Sequence, residues 1–130
     1  MKHYNVVAAV VCHDGKYLCM QKGKTKFEYT SYKWEFPGGK IEPGETPQQA
    51  LARELMEEME YPVEVGEELV TVNHEYPDFS ITMTAFLCTP KGDADGFKRR
   101  EHADSKWCSK DELKGLNWVA ADIDVVEGIL

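Results

Sequence analysis

Trp34-Glu35-Phe36-Pro37-Gly38-Gly39-Lys40-Ile41-Glu42-Pro43-Gly44-Glu45 runs directly into Thr46-Pro47-Gln48-Gln49-Ala50-Leu51-Ala52-Arg53-Glu54-Leu55-Met56-Glu57-Glu58-Met59. The second half reads as a helix. Thr46 is a good N-cap, Pro47 suits the first helical position, and Gln49 completes a T-x-x-Q capping box. Leu51, Leu55 and Met59 recur at i, i+4 and i+8 and form a buried stripe, and Pro62 ends the helix. The first half is a glycine-rich approach, in which adjacent glycines and then a third permit close contact with a ligand.

The polar face of this helix breaks local rules. Glu54, Glu57, Glu58 and Glu60 fall within seven residues. At ~100° per residue, Glu54, Glu57 and Glu58 share an arc of about 100° beside the apolar stripe. Like charges at these spacings repel by a few tenths of a kcal/mol per pair, and they crowd the end where the helix dipole disfavours anions. Arg53 alone offers local relief, to Glu57 at i+4. A solvated acidic face would mix Glu with Lys and would not follow a glycine-rich loop. Carboxylates converging on one patch suit a hard divalent cation, Mg²⁺ or Mn²⁺.

Composition bounds what such a cation would do. The 130 residues carry 15 Lys and Arg against 23 Asp and Glu, a net charge of −8. That balance argues against a nucleic-acid polymer as partner, which calls for a basic stripe. A polyanionic small molecule would need the cation as a bridge. With 42% hydrophobic and 29% charged residues the chain is globular, neither disordered nor fibrous. No apolar run approaches the ~20 residues of a membrane span. The opening MKHYNVVAAVVCHDGK lacks the features of a signal peptide, so a cytoplasmic protein is expected. Cys12, Cys19, Cys88 and Cys108 form no C-x-x-C pair and read as small buried hydrophobes. His3, His13, His74 and His102 show no ligand spacing and read as solvated or capping residues.

A single domain is expected over 1–130, with no linker or repeat. Asn5–Val11 and Lys16–Gln21 read as strands joined by a His13-Asp14-Gly15 hairpin. The stretch 22–33 is polar and basic and reads as a mobile loop. Leu69–Tyr76 and Ile81–Thr89 read as antiparallel strands turned by Pro77-Asp78-Phe79-Ser80. In the second, Ile81, Met83, Ala85 and Leu87 face opposite to Thr82, Thr84, Phe86 and Cys88. Lys91–Arg100 is a loop, Lys106–Cys108 a short strand, and Ser109-x-x-Glu112 a second capping box. Asp122–Leu130 is an amphipathic helix. This order implies an α+β fold with helices packed on a mixed sheet.

Gly39-x5-Glu45-x7-Arg53-Glu54-Leu55-x-Glu57-Glu58 resembles the Nudix box, a 23-residue signature spanning 39–61. Glu60 stands where the family has glycine, at a position where a left-handed backbone would cost another residue about 1–2 kcal/mol. Outside the box, Trp34-Glu35-Phe36-Pro37, Tyr76-Pro77-Asp78, Glu101 six residues before Trp107, and Leu116-x-Trp118-x3-Asp122 resemble the MutT-like branch. The resemblance implies the Nudix fold, a mixed β-sheet sandwiched between helices. It also implies Mg²⁺-dependent hydrolysis of a nucleoside triphosphate to monophosphate and pyrophosphate. The monomer and the homodimer both fit.

By the same resemblance, Glu57 and Glu58 are the principal metal ligands and the Gly38 carbonyl completes the set. Glu54 binds metal or orients the attacking water, Arg53 holds it, and Glu45 braces loop against helix. Glu101 is the distal carboxylate outside the box, and either it or Glu54 is the general base. Lys22 and Lys40 stand near the phosphates, and Glu35 belongs to the substrate pocket. Asp122 either reads the base edge or caps the last helix, and Tyr76, Phe79 and Phe86 offer a stacking surface or pack in the core. The implied substrates are an oxidised nucleotide such as 8-oxo-dGTP, which would place the chain in DNA repair, or a cytidine nucleotide. The rivals are another nucleoside diphosphate derivative such as ADP-ribose, or a nucleotide sensor that does not hydrolyse.

Overall fold

The fold is organised by β1 (Lys2–His13), whose residues Val7–Val11 are buried on both faces. Such a run belongs in the middle of a sheet covered on both sides. In this computed structural model, which describes all of Met1–Leu130, β1 runs parallel to β6 (Phe79–Pro90), from Lys2 opposite Phe79 to Val11 opposite Cys88. Asp14 and Gly15, both left-handed (φ 50° and 74°), turn β1 into β2 (Lys16–Lys22). This is the hairpin that the D-G pair predicts. Three short or irregular partners complete the sheet: β3 (Trp34–Glu35) on β2, β4 (Gly38–Lys40) on β1, and β5 (Val63–Glu75) on β6. A seventh strand, β7 (His102–Cys108), also pairs antiparallel with β2.

Helices cover both faces. The helix α1 (Pro47–Met59) buries Leu51, Leu55 and Met59 against Val7, Ala9, Val11, Phe86 and Cys88. Opposite it, α2 (Lys110–Leu113) and α3 (Ala120–Ile129) close over Ala8, Val10, Met83 and Ala85. The alternation read in β6 is therefore observed, and Phe86 lies in the core under α1. Both capping boxes form: Gln49 N–H donates to Thr46 Oγ1 at 3.1 Å, and Glu112 N–H to Ser109 Oγ at 3.4 Å. All four cysteines are free thiols, three of them buried. No helix is long and apolar enough to cross a membrane.

Several boundaries depart from the sequence reading. β5 starts at Val63, six residues before Leu69, because its pairing with β6 passes through bulges between Val65 and Val70 that spoil the alternation. β7 starts at His102 and not at Lys106, while β3 and β4 are too short to show a period. The stretch 22–33 is a structured turn. Thr25 Oγ1 donates to the Phe27 carbonyl at 2.8 Å and lies 2.6 Å from Thr30 Oγ1, with Thr30 itself buried. The rings of Phe27, Tyr29 and Tyr76 stack in series at 5.0 and 5.6 Å. The last helix begins at Ala120 with Val119 at its N-cap, so Asp122 does not cap it. Glu60, at the end of α1, takes the left-handed conformation (φ 48°, ψ 41°) that glycine would adopt freely.

Candidate active site

β4 lies at unusually short range from β1 at Gly38 and from α1 at Gly39. A Cβ at Gly38 would lie 1.9 Å from the Val7 carbonyl oxygen, and one at Gly39 would lie 2.4 Å from Glu54 Cδ. The two glycines are needed for this close approach, which lets the Gly38–Lys40 backbone and the polar flank of α1 share one wall. Arg53 binds that wall together. Its Nε–H donates to Glu45 Oε2 at 2.7 Å and Nη2–H to Glu45 Oε1 at 2.9 Å. Nη2–H also reaches the Lys40 carbonyl at 3.1 Å, while Nη1–H reaches Glu54 Oε1 at 3.0 Å and Glu57 Oε2 at 3.1 Å. A planar, permanently charged fork is the side chain suited to hold three carboxylates at once. In return these hydrogen bonds hold Glu45 below the ordinary carboxylate range.

The wall faces a cavity of about 720 Å³. Glu54, Glu58 and Glu101 line it, next to Gly38, Gly39 and Lys40. Glu58 has no ion-pair partner. Burial, then the charges of Glu101 and Glu54, push its carboxyl up to about 8. An acid so placed must take up either a proton or a cation. No three His, Cys, Asp or Glu side chains stand as a ready-made metal cage. The donor set is nevertheless all carboxylate and backbone oxygen, with Glu58 and Glu101 unpaired, and it fits a hard divalent cation. Glu57 is placed differently. Its side chain is 60% exposed, turned to Arg53, and lies outside the cavity lining.

Glu35, His102, Asp122 and Tyr76 line the same cavity. Glu35 lies between Lys22 Nζ at 3.4 Å and His102 Nε2 at 3.0 Å. Burial raises its pKa, but the His102 hydrogen bond and the Lys22 charge outweigh burial and leave it low. Asp122, only 4% exposed, accepts the Phe36 N–H at 3.0 Å through Oδ1. Burial and then the charge of Glu35 hold Asp122 well above the ordinary Asp range. The Tyr76 hydroxyl accepts the Ala121 N–H at 3.0 Å, so the ring is fixed against the start of α3. Two carboxyls in one pocket are thus driven apart, one ionised and the other biased towards its neutral form.

Of the residues singled out in the sequence, Lys22, Glu35, Gly38, Lys40, Glu54, Glu58, Tyr76, Glu101 and Asp122 converge on this one cavity, and Phe79 joins them. Arg53 and Glu57 stand behind it. Lys40 sends its ammonium over the Tyr4 ring at 4.1 Å. His102 is the residue that sequence reasoning missed. Read as solvated or capping, it has a side chain only 5% exposed, and its Nδ1 has no partner. Its signal was adjacency to Glu101, hidden because β7 begins four residues earlier than its apolar pattern.

The family model described as NUDIX domain matches residues 1–127. The 8-oxo-dGTP diphosphatase of Proteus vulgaris is 41% identical over 88 residues, covering 68% of this chain and 78% of that protein. The CTP pyrophosphohydrolase of Escherichia coli K12 is 35% identical over 131 residues, covering 100% of this chain and 93% of its own. The solution structure of the E. coli ORF135 protein superposes with a TM-score of 0.82 at 34% identity, covering 99% of this chain and 89% of that one.

Proposed function

The chain belongs to the NUDIX domain family, and on that premise we propose that it hydrolyses a nucleoside triphosphate to nucleoside monophosphate and pyrophosphate. The observation that carries this reading is that two unlike groups of residues line a single cavity. Glu54, Glu58 and Glu101 beside glycine backbone suit a metal-bridged polyphosphate, and the buried Asp122, Phe36 and Tyr76 suit a base. The relatives' names, 8-oxo-dGTP diphosphatase and CTP pyrophosphohydrolase, support a mononucleotide substrate. Guanine and cytosine derivatives both carry an exocyclic amino donor. A carboxyl that accepts such a donor and, when neutral, also donates one hydrogen bond suits either base.

Glu54, Glu58, Glu101 and the Gly38 carbonyl would hold Mg²⁺, with Mn²⁺ as substitute, and Glu57 would join them by turning from Arg53. The ion, when bound, draws charge from the phosphoryl oxygens and acidifies water. Arg53 keeps Glu54 in place against Gly39, while Lys22 and Lys40 would reach the phosphates by turning from Glu35 and from the Tyr4 ring. Either Glu54 or Glu101 would take the proton of the attacking water. The pocket around Asp122 excludes solvent and orients the base, which aligns the phosphates with the wall.

The test is product analysis on the normal NTPs and dNTPs, 8-oxo-dGTP, 5-methyl-dCTP and ADP-ribose, with Mg²⁺ and with EDTA. Monophosphate and pyrophosphate released only with Mg²⁺ would support the reading. Cleavage of ADP-ribose alone would discard the triphosphate assignment, and nucleotide binding without turnover would favour a sensor.

A further inference from the structure

We propose that Glu60 is a positioning residue, whose carboxylate clasps Lys98 and Arg100 and so holds Glu101 at the cavity wall. The inference rests on the function proposed above for that wall. Glu60 is the residue of the box that departs from the family pattern, and it bears a left-handed backbone that glycine would take without strain. Its side chain is engaged as well. Oε2 accepts from Lys98 Nζ at 3.0 Å and from Arg100 Nη2. The Lys98 N–H also donates to the Met59 carbonyl at 2.8 Å, beside the same helix end.

Both cations belong to the segment joining β6 to β7, and Arg100 immediately precedes Glu101. The earlier part of that segment has its own anchors. The Tyr61 hydroxyl donates to the Ala94 carbonyl at 2.7 Å, Trp107 Nε1–H donates to Asp95 Oδ1 at 2.7 Å, and Phe97 packs edge-on to Tyr61. Beyond Glu101 the chain is held by His102 on Glu35 and by Arg99 on the Ala103 carbonyl and Asp104, and on the near side, at Lys98 and Arg100, by Glu60. The Glu101 carboxylate has no hydrogen-bond or ion-pair partner of its own, and it lines the same cavity as Glu54 and Glu58. The Glu60 ion pairs tie the residues just before Glu101 to the C-terminal end of α1. Exposed pairs such as these add little to global stability, so their effect falls on the position of the segment.

The test uses the full chain with Glu60→Gly, Glu60→Gln, Arg100→Gln and the Glu60→Gln/Arg100→Gln double variant. In metal-free protein the amide of Lys98, which donates to the Met59 carbonyl at 2.8 Å, should exchange roughly two- to fivefold faster in every variant. Mn²⁺ affinity, read from the EPR signal of the free ion, should weaken to a similar extent. Turnover should fall through kcat with KM for the nucleotide unchanged, because the residues proposed to hold the base are untouched. The double variant should match the worse single one, as coupled partners do. Glu60→Gly should melt at or above the wild-type temperature, which separates loss of the clasp from loss of the fold. Wild-type exchange and Mn²⁺ affinity in Glu60→Gly and Glu60→Gln would overturn the proposal, and so would additive losses in the double variant. Should the wild-type protein cleave no nucleotide, the proposed function fails, and the exchange and Mn²⁺ measurements still judge the clasp.

Discussion

Replacing Gly39 by Ala adds one methyl group, yet it should act on catalysis far more than on folding. The new Cβ would sit 2.4 Å from Glu54 Cδ and 2.5 Å from Glu54 Oε2. Carbon–carbon contacts are comfortable at about 3.5–4.0 Å, so the Glu54 carboxyl must retreat by about 1 Å or more. Its hydrogen bond from Arg53, now 3.0 Å, does not survive that shift. Losing a charged hydrogen bond costs about 1.5–3 kcal/mol, of which the reduced freedom of the unfolded chain returns about 0.4–1 kcal/mol. Arg53 keeps both bonds to Glu45, so the fold should persist. A displacement of ~1 Å in a group that positions water or metal costs on the order of 100-fold in rate. Pyrophosphate release at saturating Mg²⁺, beside thermal unfolding of the same samples, measures both quantities. In a Glu54→Ala background the methyl has room, and Gly39→Ala should then change nothing further. A Gly39→Ala enzyme within threefold of wild type, or one that loses more activity when Glu54 is already Ala, would refute the reasoning.

Gly38→Ala makes the opposite contrast. Its Cβ would meet the Val7 carbonyl oxygen, which is backbone and cannot step aside, so β1 and β4 must part and the melting temperature should fall by more than for Gly39→Ala. Glu58→Gln should lower turnover by orders of magnitude at saturating Mg²⁺ and raise the stability of the metal-free protein at neutral pH, because folding no longer has to protonate or bury the charge of a carboxyl held above its unfolded value; near wild-type turnover would remove Glu58 from the metal set. Asp122→Asn keeps an acceptor for the Phe36 N–H and removes a charge. Because the folded carboxyl of Asp122 lies above its unfolded value of 3.8, its neutral form adds stability that is fully present below pH ~4 and lost as pH rises through the folded value. The Asp122→Asn variant is immune to that loss, so its advantage in melting temperature should grow from pH 5 to pH 8, and base preference should change more than the maximal rate. A constant offset in melting temperature, or equal losses across all nucleotides, would count against this account.

What could be read in the sequence was what local chemistry determines. The Thr46 and Ser109 capping boxes, the Leu51-Leu55-Met59 stripe and the Asp14-Gly15 hairpin each need partners only a few residues away, and each is observed. Glu54 and Glu58 share a helix flank by spacing alone, but the arrival of Glu101 and Asp122 at the same cavity is a long-range matter, expected from family resemblance. The misread features were long-range in the same sense. His102 looked like a solvated residue because neither its burial against Glu35, 67 positions away, nor the early start of β7 leaves a local pattern. Asp122 looked equally like a helix cap until the helix proved to start at Ala120 and the carboxyl to face Phe36, 86 positions away. Glu60 shows why a broken local rule is informative even when its compensation is invisible. The left-handed strain was legible from the missing glycine. Its counterpart, Arg100, lies 40 residues on, and only the folded chain brings the two together beside Glu101. Strain at one residue and a carboxylate delivered at another are thus two ends of one arrangement, and a glycine at 60 would relax the first only by releasing the second.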